Sequence, residues 1–245
     1  MYNYKINIQY DGTNYNGWQK QVSKSNTIQW RFERIVSELN GEETQVIGSG
    51  RTDAGVHAIG QVANFYLKEK LDEKYVKDYI NKYLPSDIAV TEISIVSERF
   101  HSRYNAKKKT YIYRILNDLQ SDVFESRYVY KYPNKLDIDK MRKAADMLKG
   151  KHDFMAFCAN KRTKKSTIRT VYSIDINRFG SEIQMEFVGD GFLYNMVRIM
   201  AGTILQCGTG EFDYTQIPNV LESRNRQNAG ITLPPCGLTL KSVEY

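Results

Sequence analysis

Apolar and polar positions alternate over residues 4–10, YKINIQY, the period-two pattern of a half-buried strand. The following segment, DGTNYNGWQKQ (11–21), breaks the alternation with Gly12 and Gly17 and reads as a loop. Ile28, Phe32, Ile35, Val36 and Leu39 then fall at helical spacing. Asn26 with Gln29 three residues on predicts a capping box at the start of this helix, and Gly41 predicts its end. TQVIG (44–48) and QVANFYL (61–67) are strand-like and flank a stretch with neither period. A second helix is predicted from about Leu71 to Leu84, with Val76, Ile80 and Leu84 in one stripe and Pro85 as its stop. DIAVTEISIV (87–96) is again strand-like. Strand–helix–strand–strand–helix–strand is the order of a split βαβ unit.

The second half has a similar element order without a sequence repeat. TYIYRIL (110–116) alternates and puts Tyr111, Tyr113 and Ile115 on one face. A helix is predicted at about 137–149, a hairpin from 166–179 and 182–189 around Gly180, a helix at about 192–206, and a closing strand at 237–245. No Pro/Gly/Ser-rich linker divides the halves, so one α+β chain with a continuous sheet is expected. Its halves are residues 1–105 and 106–245.

Composition narrows the setting. No run approaches the roughly 18 apolar residues of a membrane span, and the N-terminus lacks the charged and apolar regions of a secretory signal. Cys158, Cys207 and Cys236 are odd in number and form no CxxC, and His57, His101 and His152 lack ligand spacing. A soluble, cytoplasmic protein with no structural metal is expected. Net charge is +7: Lys and Arg number 13 against 13 acids in residues 1–105, and 22 against 15 in 106–245. The excess clusters at Lys107–Lys109 and in KRTKKSTIR (161–169). Such a run is either a solvated loop or a phosphate-contacting surface. Eighteen tyrosines serve either the core or base stacking.

Two features carry chemistry. In GSGRTDAGVHAIGQVANF (48–65), Asp53 lies near Arg51 with Gly50 and Gly55 around it, in a loop between strand-like runs. A carboxylate beside a cation is held ionised, and glycine lets backbone approach a ligand. The alternative is a plain Asp-x-Gly turn. The helix at 192–206, FLYNMVRIMAGTILQ, is apolar almost all round and is therefore expected to be buried, with Arg198 in its middle. A buried arginine needs an anion, which makes Arg198 either an ordinary ion-pair member, a side chain that snorkels out, or the holder of a catalytic carboxylate.

Seven blocks in order, YDGTNYNGWQ (10–19), GSGRTDAGVHAIGQVANF (48–65), LPSDIAV (84–90), RFHSRYNAKKKTYIYRI (99–115), KGKHDFMAF (149–157), GDGFLYNMVRIMAG (189–202) and PPCGLTLKSVEY (234–245), resemble the tRNA pseudouridine synthase A family from end to end. The resemblance implies the pseudouridine synthase fold: two ferredoxin-like, or RRM-like, α+β halves sharing a central, mostly antiparallel sheet with an active-site cleft between them. It implies isomerisation of uridine to pseudouridine at positions 38, 39 and 40 in the tRNA anticodon stem-loop, by a homodimer without cofactor or metal. Asp53 matches the catalytic aspartate, Tyr111 the base-stacking tyrosine and Arg198 the arginine paired to the aspartate. Arg51 then becomes an RNA-facing neighbour, and Lys161, Arg162, Lys164 and Lys165 candidate phosphate contacts.

The reaction asks for the same residue types. The C1′–N1 bond breaks, the uracil turns, and C5 bonds to C1′. An ionised carboxylate can attack at C1′ or at C6 of the base. A flipped base is gripped by an aromatic face, which Tyr111 supplies, and the Tyr111 hydroxyl is a candidate base for the C5 proton. The rival readings are a non-catalytic RNA-binding module and a hydrolase that releases free uracil. Tyr111 as a core residue, His57 as a loop-shaping residue and Gly189-Asp190-Gly191 as a turn are the bland readings of their positions.

Overall fold

The computed structural model describes residues 1–21, 26–160 and 166–245. Two compact units divide the chain: Met1–Lys107 with Leu240–Tyr245, and Lys108–Thr239. In chain order the first contains β1 (Tyr2–Tyr10), α1 (Ile28–Asn40), β2 (Ile47–Gly48), β3 (His57–Leu67), α2 (Glu73–Tyr83) and β4 (Ile88–Val96). The second contains β5 (Lys108–Leu116), β6 (Tyr130–Lys131), α3 (Ile138–Met147), β7 (Gly150–Asp153), β8 (Ile168–Phe179), β9 (Glu182–Gly189), α4 (Met196–Thr209) and α5 (Ile217–Ser223). The strand β10 (Leu238–Glu244) runs out of the second unit and back into the first. The chain is α+β, as the alternation of periods predicts.

In the first unit the strand order is β4-β1-β3-β10, with β2 added to β3. β1 pairs antiparallel with β3 and β4, Ile6 lying opposite both Ala63 and Ile93. Its register shifts on both sides between Asn7 and Tyr10, and such irregularities re-aim a strand where it leaves the sheet. The loop that follows belongs to the candidate site. Tyr4, Ile6, Ile8, Phe32, Val36, Phe65, Val76 and Ile80 are buried, so α1 and α2 turn their apolar stripes to the core as their spacing demands.

The cap of α1 differs from expectation. Thr27, not Asn26, is the N-cap: its Oγ1 accepts from Trp30 N–H, while Asn26 donates to Asn14 O and accepts from Arg31. Gln29 does not reach back to a cap; it points inward and donates to Glu33 Oε1 at 2.8 Å and Val46 O at 3.1 Å. Gly41 ends the helix at φ 69°. For α2, Asp72 caps at Tyr75 N–H and the helix stops at Tyr83, before Pro85.

In the second unit the order is β5-β9-β8-β7, all antiparallel, with β6 parallel to β5. The β8–β9 hairpin turns at Gly180, φ 60°. Tyr111, Tyr113 and Ile115 share the buried face of β5. α4 begins at Met196, four residues later than the periodicity suggests, because Asn195 adopts a left-handed conformation at φ 61°. Eleven of its fourteen residues are buried, and Arg198 is half-buried. α4 takes its neighbour closely: a methyl at Gly202 would overlap the Ile231 carbonyl. No described helix is long and apolar enough to cross a membrane.

Candidate active site

The loop holding Asp53 is clasped to the loop that leaves β1. Trp18 N–H donates to Thr52 O at 3.1 Å, Gly55 N–H to Tyr15 O at 3.3 Å, and Tyr10 OH meets Thr52 Oγ1 at 2.8 Å. Two contacts need glycine. Gly17, at φ 84°, lies so close to the Thr52 carbonyl that a Cβ would collide with it, and a Cβ at Gly48 would enter the Trp18 indole. Asp53 opens a turn closed by Val56 N–H on its carbonyl at 3.2 Å, with Gly55 at φ 77°. The Asp-x-Gly pattern therefore does form a turn, and the half-buried Asp53 carboxylate is carried at its head.

A polar layer braces this loop from below. Gln61, fully buried on β3, accepts from Ser49 Oγ at 2.7 Å and donates to Gly50 O at 3.1 Å. His57, also buried, has its Nδ1 at 3.1 Å from both the Gly12 N–H and an Asp11 carboxylate oxygen, in keeping with a loop-shaping role. Burial pushes the Tyr10 phenol up, against hydrogen bonds from Thr52 and Gln61, so it stays neutral. Residue type at 10, 49 and 61 gives no hint of this layer; only the meeting of two distant loops reveals it.

Arg51 is exposed, and its Nε donates to Gln19 Oε1 at 2.9 Å. Arg51 and Asp53 thus share one loop of the first unit, while Tyr111 and Arg198 belong to the second. Tyr111 is 7% exposed and meets Phe192 edge to face, with centroids 5.3 Å apart. Tyr113 is fully buried, and its hydroxyl donates to Pro234 O at 2.8 Å. Arg198 donates from Nε to Leu233 O at 2.7 Å and from Nη1 to Asn195 Oδ1 at 2.8 Å. These fix the guanidinium plane. Burial raises the Tyr113 phenol and Cys236 thiol, and the Arg198 charge works against both shifts. Asp190 is tied across to β8: its carboxylate accepts from Thr170 N–H, and its own N–H donates to Thr170 O, both at 3.0 Å.

Lys161, Arg162, Lys164 and Lys165 lie outside the described residues. Among the described residues no group of three or more His, Cys, Asp or Glu side chains could hold a metal ion.

A family model described as tRNA pseudouridine synthase matches residues 6–105 and 144–245, spanning the clasped loops and α4. The chain belongs to the tRNA pseudouridine synthase family. It is 49% identical to a tRNA pseudouridine synthase A of Bacillus sp. (strain KSM-64), over the whole of both chains. It is 45% identical to a tRNA pseudouridine synthase A 2 of Bacillus cereus (strain ATCC 14579), again over the whole of both. A tRNA pseudouridine synthase A of Clostridium kluyveri is 44% identical with the same full coverage. The family match covers the rigid, glycine-dependent turn that carries the Asp53 carboxylate.

Proposed function

We propose that this chain converts uridines 38, 39 and 40 of the tRNA anticodon stem-loop to pseudouridine, with Asp53 as the nucleophile. Membership of the tRNA pseudouridine synthase family makes the chain an isomerase that forms pseudouridine in tRNA. The half-buried Asp53 carboxylate on its braced turn carries the assignment within the site. Attack by Asp53 at C1′ or C6 frees the glycosidic bond, the uracil turns, and C5 bonds to C1′. C5 then loses its proton, and the product has the atoms of the substrate. Tyr111 stacks on the flipped base and is placed by residue type to help remove that proton. Arg198 supplies the cation that holds Asp53 ionised, its plane set by Leu233 and Asn195.

In this reading the first half carries the catalytic loop, and the basic second half, with Lys161, Arg162, Lys164 and Lys165, meets tRNA phosphates. The working form is a cytoplasmic homodimer that uses no cofactor. Purified protein incubated with C5-tritiated tRNA should release tritium without free uracil, and Asp53→Asn should abolish release while leaving the melting temperature within about 2 °C. Free uracil would instead support a hydrolase, and no release from any tRNA would leave an RNA-binding module. Loss of pseudouridine at positions other than 38–40 in a deletion strain would overturn the positional assignment. Sedimentation as a monomer would overturn the homodimer.

A further inference from the structure

The first unit contains a cleft of about 290 Å³ whose lining includes Gln19, Arg51, His101, Arg103 and Tyr104. None of its described lining residues is acidic, and two are arginines. The size is at the small end of ligand pockets. One wall is β2 with the start of the loop that follows it, Gly50 and Arg51; the other is the loop after β4.

That second loop is built for rigidity. Ser102 is fully buried, and its N–H and Oγ both donate to Asn64 Oδ1, at 2.9 and 2.6 Å. Asn64 in turn donates to Asn3 Oδ1 at 3.0 Å, and Asn3 donates to Ser97 O and Phe100 O. Tyr245 OH closes on Ser102 O at 2.8 Å. His101 and Asn105 bond each other across the turn. His101 Nδ1 accepts from the N–H groups of Arg103 and Tyr104, at 3.1 and 3.3 Å, which places the ring proton on Nε2 and fixes the ring. Tyr104, 78% exposed, lies against that ring with centroids 4.2 Å apart and planes 33° from parallel. A lone exposed tyrosine needs no explanation. Here three buried polar side chains hold the exposed Tyr104 ring against the half-buried His101 ring beside two arginines, and burying polar groups is costly unless each is satisfied.

We propose that this cleft is a second nucleotide subsite. It takes one nucleotide of the RNA strand that flanks the reacting uridine, Tyr104 and His101 stacking on its base and Arg103 and Arg51 meeting its phosphate. The inference rests on the reading of the substrate as RNA. An aromatic face accepts any base, so the site sets the path of the strand rather than its sequence. The loop pays its ordering entropy on folding, not on binding.

The test uses the full chain carrying Asp53→Asn, so that no turnover is needed, and a fluorescein-labelled seven-nucleotide oligouridylate followed by anisotropy. Tyr104→Ala is expected to weaken binding on the order of ten- to hundredfold, and Tyr104→Phe to retain affinity within about twofold. Arg103→Ala should lower the slope of log affinity against log salt by about 0.7, one single-strand phosphate contact. With Asp53 restored, the Tyr104→Ala defect on tRNA should fall more on KM than on kcat. Affinity and slope unchanged in both alanine variants would overturn the proposal. So would a Tyr104→Phe defect as large as that of Tyr104→Ala, since the ring face would then not be the contact. A protein that binds the oligonucleotide through Tyr104 yet releases no tritium would keep the subsite and refute the reaction.

Discussion

Asn64→Ala removes the hub of the network that seats the loop after β4. The side chain is fully buried and makes three bonds: one donated to Asn3, and two accepted from the Ser102 N–H and hydroxyl. The variant leaves the Asn3 carbonyl, the Ser102 amide and the Ser102 hydroxyl without these partners. At about 1 kcal/mol net per lost bond, the fold should lose about 3 kcal/mol. With a urea dependence of about 3 kcal/mol per molar, the midpoint falls by about 1 M. In a chain of this length the melting temperature falls by roughly 6–12 °C. Circular dichroism in urea and on heating reads both numbers. The carrier of His101, Arg103 and Tyr104 is loosened with it, so oligonucleotide affinity should fall although none of those side chains has changed. A loss below about 0.5 kcal/mol would refute the idea that buried polar bonds, rather than the surrounding apolar contacts, hold this loop.

Two further outcomes are expected. Arg198→Ala should lower the melting temperature, since it deletes charge-assisted bonds to Leu233 and Asn195 worth about 1.5–3 kcal/mol each, and under the proposed function should also remove tritium release; a stable, active variant would refute the proposed role of Arg198. Glu182 is held below its ordinary carboxylate range by the Arg114 guanidinium, so it stabilises the fold above its unfolded value, about pH 4.3, and that contribution is lost as pH falls through its lower folded value. Glu182→Gln should therefore lower the melting temperature at pH 7 and flatten its decline between about pH 5 and 3; parallel curves for the two proteins would contradict this.

Long periodic segments were legible because their pattern is their packing: Val76 and Ile80 of α2, or Tyr113 and Ile115 of β5, face the core where their spacing puts them. Ends were less so. Asn26 and Thr27 are both competent caps, and the choice depends on Asn14 and Arg31 drawing Asn26 away. The start of α4 was misplaced because Phe192–Tyr194 keep its apolar pattern while Asn195 turns the backbone left-handed. The short elements β6, β7 and α5 span too few residues to show a period. Among the candidate residues, Asp53 stands out in the sequence through its glycines and Arg198 through its apolar surroundings. Gln61, Ser49 and Asn64 do not, since a buried amide in a strand looks like any polar position until its partners from other loops are known.

The return of Leu240–Tyr245 to the first unit sets an order of events on the ribosome. Met1–Lys107 emerges first, but β3 gains its neighbour β10 only after all of Lys108–Thr239 has been made. At about 5–20 residues per second the wait is on the order of ten seconds. Throughout it β3 keeps an open edge, paired with β2 only at Ala63 and Asn64, and the Ser102 carbonyl lacks Tyr245. A nascent chain therefore carries the Asn3–Asn64–Ser102 network before Tyr245 can close on it. Ribosome-arrested chains should gain a further step of protease resistance across residues 97–105 when the segment beyond Leu240 has left the exit tunnel. Synthesis of β10 would then be the step that covers the β3 edge and clasps the loop after β4.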